Sequence, residues 1–157
     1  MTVFGAIISH NYLWCQYRQR VGLAKTQGPM MVGIVWVANV LTFYAYYIYT
    51  NLVAFKEKDP EYLNRVMWEW LNAFKLSFVI GALLIFLLSY FLYRIKGVYN
   101  NIITELLSKE EKRQKSVAKL GKTYFYGSLT VLVIAYCILV WLFVEWGYWE
   151  AFNLDTN

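Results

Sequence analysis

Few side chains in this sequence have types that could carry out chemistry. His10 is the only histidine, and Cys15 and Cys137 are the only cysteines. One imidazole cannot assemble a bis-histidine haem, a quinol-oxidising haem pair or a histidine-based zinc site. Cys15 precedes the first long apolar stretch and Cys137 falls in the middle of the last. The two thiols are therefore expected at different depths, with no disulfide between them, and Cys15 is expected on a reducing side. A Ser/His/Asp triad has no geometry open to it, because the topology derived below puts His10 and the outer acids on opposite sides. The apolar stretches hold no Asp, Glu, Lys or Arg in their cores, where ion and proton paths place such groups. Glu145, between Trp141 and Trp146 near the end of the last stretch, reads as an interfacial acid. Asn39, the one amide in mid-stretch, reads as helix-to-helix glue. The expectation is no catalytic residue, no metal and no cofactor, and hence no enzyme.

The elements that would position these residues are set by composition. The 157 residues are 59% hydrophobic, 20% aromatic and only 16% charged. A soluble domain is ~45–50% apolar and ~25% charged, so a small integral membrane protein is expected. A span needs ~20 apolar residues to cross ~30 Å of hydrocarbon. Residues 30–55, 76–93 and 123–149 meet that length, the last continuing past Glu145. Gly28-Pro29 reads as a break ahead of the first span, since Pro is tolerated at a helix start. Asp59-Pro60-Glu61 reads as the cap and first turn of a helix leading into the second.

Charge sets the orientation. With three spans, segment 1–29 and loop 94–122 share one side and carry eleven basic residues, against four in loop 56–75 and none in tail 150–157. The positive-inside rule places the richer side in the cytoplasm, with the N-terminus inside and the C-terminus outside, in an inner membrane if the source is bacterial. Aromatic belts fit those depths: Phe43, Tyr44, Tyr46, Tyr47 and Tyr49; Tyr90, Phe91 and Tyr93; Tyr124, Phe125 and Tyr126; and Trp141, Trp146, Tyr148 and Trp149. The first residues lack the charged front of a cleavable signal, and the Met-Thr start does not fit myristoylation.

Outside the spans, Val3, Phe4, Ile7, Trp14 and Val21 recur at roughly helical spacing, interrupted by Asn11 and Arg18. An interfacial helix or a subunit contact is expected there. Segment 60–73 is amphipathic, and its Trp68 and Trp70 offer a partner-docking surface. In the inner loop, Ile95, Val98, Ile102 and Leu106 continue the second helix as an apolar stripe, with Gly97 as a kink. Ser108-Lys109-Glu110-Glu111 matches a capping box opening a short helix that Gly121 ends. The fold expected is thus an all-α integral membrane protein with three transmembrane helices, an amphipathic N-terminal segment and a cytoplasmic helical hairpin, forming a single membrane domain over 1–157.

Lys112, Arg113, Lys115, Lys119 and Lys122 could contact anionic lipid, although the positive-inside signal alone accounts for such a run. Binding of nucleic acid is not expected. In the second span Ala73, Ser77, Gly81, Ile85 and Ser89 fall every four residues, a small ridge suited to close helix packing. The partners expected are membrane lipids and either other membrane subunits or further copies of the chain. The function expected is that of a non-catalytic subunit of a secretion, transport or respiratory complex. The competing expectation is a self-associating channel, pore or membrane-perturbing effector, which the lack of a polar stripe disfavours.

Overall fold

A computed structural model describes residues 1–56, 79–94 and 97–145. The described residues are helical, with no strand among them: α1 is Val3–Tyr17, α2 Val21–Lys56, α3 Val79–Arg94, α4 Val98–Leu107 and α5 Glu111–Glu145. Two of these carry stretches long and apolar enough to cross a membrane, Val21–Asn51 with a mean hydropathy of 1.6 and Glu111–Leu142 at 2.1. α3 and α4, bent by 57° at the break between them, make a third if taken together as one broken span. The described residues are therefore all-helical, with two to three candidate membrane-spanning helices among them. At 1.5 Å per residue a 31-residue stretch is about 46 Å long, more than the ~30 Å of hydrocarbon.

The chain divides into two compact units, Met1–Ala38 with Gly81–Leu129, and Asn39–Ile80 with Thr130–Asn157. In the first, a core forms around Ile7, Ile8, Ala24, Val32, Val35 and Ile103, with Tyr93 and Tyr99 completing it. In the second, Ala45, Leu139 and Leu142 are buried, while Phe43 and Val133 are 71% and 60% exposed. Along α3, large apolar side chains including Leu83, Leu84, Leu87 and Leu88 are exposed, the kind of surface that marks a protein or membrane contact.

Three local expectations are corrected. Pro29 does not mark a break: it lies inside α2 and is fully buried. The helix gives up the hydrogen bond that Pro cannot donate, and the ring packs into the core beside Gly28. The break comes earlier, at Arg18–Gln19–Arg20. Gln19 there takes φ 55°, its N–H donates to the Gln16 carbonyl, and the Arg20 N–H donates to the Cys15 carbonyl at 2.8 Å. That pair of bonds is a Schellman ending.

Ser108 does not open a helix either. It closes α4 with φ −73° and ψ −12°, helical rather than extended backbone, and its hydroxyl donates backwards to the Glu105 carbonyl at 2.9 Å. Gly121 ends nothing, because α5 runs unbroken through it. The second arm of the inner loop is thus the start of α5. Gly97 does turn the chain, at φ 71°. Segment 60–73 with Trp68 and Trp70, the Asp59-Pro60 start, Ala73, Ser77, Ile95, and the closing Trp146, Tyr148 and Trp149 lie outside the described residues.

Candidate functional site

The site is built on α1, a short helix buried on most of its sides. Thr2 caps it, its hydroxyl accepting the Gly5 N–H at 3.2 Å. Gly5, Ala6, Ile7, Ile8, Ser9, Asn11 and Cys15 are buried. Such burial needs neighbours at backbone distance, and two glycines allow it. A Cβ on Gly28 would meet the Ile8 side chain at 3.4 Å and Tyr99 at 3.5 Å, and a Cβ on Gly121 would overlap the Ala6 carbonyl and lie 2.7 Å from the Ile7 nitrogen. Gly121 is thus kept free of a side chain so that α1 can lie directly on α5.

Polar groups carried into this core must find partners. The Ser9 hydroxyl donates to the Gly5 carbonyl at 2.8 Å. The Asn11 amide donates to the Met31 sulfur at 3.4 Å. The Cys15 thiol lies 3.5 Å from the Gln27 side-chain oxygen and 3.8 Å from that of Asn11. Burial raises the Cys15 thiol above its ordinary pKa, so it is a packed, unreactive group. Asn11 therefore ties α1 to α2 instead of interrupting an apolar face.

Beside this ladder lies an open-sided groove of about 530 Å³. His10, Asn11 and Trp14 of α1 form one wall. Gln27, Met30, Met31 and Ile34 of α2 form the second, and Lys122, Phe125 and Tyr126 of α5 the third. His10 is held below its ordinary pKa, first by burial and then by the Lys122 ammonium. It is therefore neutral at pH 7, with one donor and one acceptor nitrogen. Lys122 is exposed and makes no ion pair among the described residues. Two amides, a neutral imidazole and one cation on otherwise apolar walls can hold an amphiphile. No carboxylate lines the groove to work with the imidazole.

The five basic residues of the run all lie in the first turns of α5 and are exposed. Lys112, Lys115, Lys119 and Lys122 share one helical face, with Arg113 off it, and Lys115 pairs with Glu111. Of the small ridge on α3, Ser89 is buried with its hydroxyl unpartnered among the described residues, while a Cβ on Gly81 would meet nothing within 4 Å. Asn39 on α2 is half-buried. Among the described residues α3 also comes close to α2: a Cβ on Gly33 would stand 2.8 Å from the Phe86 ring.

Sequence reasoning did not single out His10, Asn11 and Gln27 as one group. A signal was present: Asn11 and Cys15, and Gln27 and Met31, are each four residues apart on helices, so each pair shares a face. No protein family, curated protein or solved structure matches the chain.

Proposed function

We propose that the chain is a non-catalytic integral membrane subunit that packs within a larger membrane complex of secretion, transport or respiratory type. Its spans are 30–55, 76–93 and 123–149, with the N-terminus and the basic inner loop cytoplasmic and the C-terminus outside. One observation carries this reading. The candidate spans turn large, uncharged apolar side chains outward, among them Val40 and Phe43 on α2, Leu84 and Leu88 on α3, and Val133 and Trp141 on α5. The lack of a polar stripe disfavours a pore, though backbone and hydroxyl groups can line one, whereas a face of this kind suits lipid and neighbouring subunits.

The test is purification of the full chain from its native membrane in a gentle detergent, followed by mass spectrometry of the intact assembly. Foreign subunits in fixed stoichiometry are expected. A ring made only of this chain would overturn the proposal.

A further inference from the structure

We propose that the groove formed by α1, α2 and α5 holds one anionic phospholipid, its phosphate against Lys122 and His10 and an acyl chain along Met31, Ile34 and Phe125. The inference rests on the reading of the chain as membrane-spanning and adds a specific ligand to it.

The argument begins with direction. Along α2 the wall passes from Gln27 through Met30 and Met31 to Ile34, and along α5 from Lys122 to Phe125 and Tyr126. Both helices thus change from polar to apolar as they run into their uncharged stretches, over about 10 Å and about 6 Å respectively. A groove graded in this way on two walls matches a molecule with a polar head and an apolar tail. A soluble anion would use only one end of it.

Charge then selects the head. Lys122 supplies a cation without an acidic partner among the described residues, and no carboxylate lines the groove. The neutral His10 ring can donate to a phosphate oxygen, and Asn11 and Gln27 line the same groove. Lys112, Lys115 and Lys119 continue the face of Lys122 away from the apolar stretch, which draws the region onto an anionic leaflet. Met30 and Met31 give the apolar end unbranched walls that adapt to a disordered chain.

The experiment uses the full chain reconstituted in phosphatidylcholine bilayers containing a minor share of phosphatidylglycerol. After release into mild detergent, native mass spectrometry reads which lipid stays bound. The wild-type chain is expected to retain phosphatidylglycerol in preference to phosphatidylcholine. Lys122→Gln should lower that retention about fivefold, the equivalent of one lost basic contact at a membrane surface. Lys119→Gln, outside the groove, should change it little, and Lys122→Arg should restore it. Soluble glycerol phosphate should not displace the lipid, which separates a phospholipid from a free phosphate.

Equal losses from Lys119→Gln and Lys122→Gln would reduce the effect to surface attraction and overturn the site. So would undiminished retention in Lys122→Gln with an unchanged helical spectrum, or displacement by glycerol phosphate. Alkaline carbonate separates the two readings. A chain stripped from vesicles defeats the membrane reading itself, and an embedded chain with no lipid preference defeats only the lipid site.

Discussion

At Gly121 a single hydrogen decides whether α1 can lie on α5. A methyl group there would meet the Ala6 carbonyl, and backbone cannot rotate aside as a side-chain tip can. Gly121→Ala is expected to destabilise the protein by about 2–3 kcal/mol, the upper part of the range for overpacking. Gly127→Ala on the same helix meets nothing within 4 Å, and should be neutral or gain up to ~1 kcal/mol of helix propensity. Thermal unfolding in detergent measures both. His10 gives a pH signature at the same scale. Its native pKa is lowered by burial and by Lys122, so the native state binds fewer protons than the unfolded chain. Its contribution to stability is therefore intact above the unfolded value of about 6.5 and is lost as pH falls from there toward the native value. His10→Gln should flatten the unfolding midpoint across that window. Ser89 is a third case. Its hydroxyl is buried and unpartnered among the described residues, so Ser89→Ala is expected to be neutral or stabilising by up to ~1 kcal/mol.

At the scale of elements, the sequence was legible where a pattern was long and uniform, and illegible where one residue decided a boundary. The uncharged stretches within α2 and α5 announce helices by length and composition alone. The end of α1 does not. Its left-handed position is filled by Gln19 where glycine is the usual choice, while Gly28-Pro29, a conspicuous breaker pair, sits inside α2 with both residues buried. Ser108-Lys109-Glu110-Glu111 has the letters of a capping box, but a hydroxyl can bond forwards or backwards, and here it bonds back into α4. Gly97 could be read because nothing competes with it. It takes φ 71° and a Cβ there would touch nothing within 4 Å, so only its backbone conformation is at stake. Gly97→Ala is expected to cost ~1–2 kcal/mol. Gln19→Gly should stabilise by up to ~1 kcal/mol for the same reason with the sign reversed. The groove was the least legible part, since its third wall comes from α5, far along the chain from α1 and α2, and no short motif joins His10, Gln27 and Lys122.

At the scale of the whole molecule, two to three helices are long and apolar enough to cross a membrane, and the outward apolar faces of α2, α3 and α5 fit the proposal of a membrane-embedded chain. The proposed topology rests on charge: eleven basic residues on one side of three spans and four on the other. It puts α1, the groove and the lysine face of α5 on the cytoplasmic side. The most direct test is site-directed labelling in sealed vesicles with a membrane-impermeant thiol reagent, with cysteine placed singly at Ser108 and at Asn157 in a chain whose Cys15 and Cys137 are replaced by alanine. The account predicts that the two positions label from opposite sides, Ser108 from the cytoplasmic face and Asn157 from the outer one. Labelling of both from one side would contradict it.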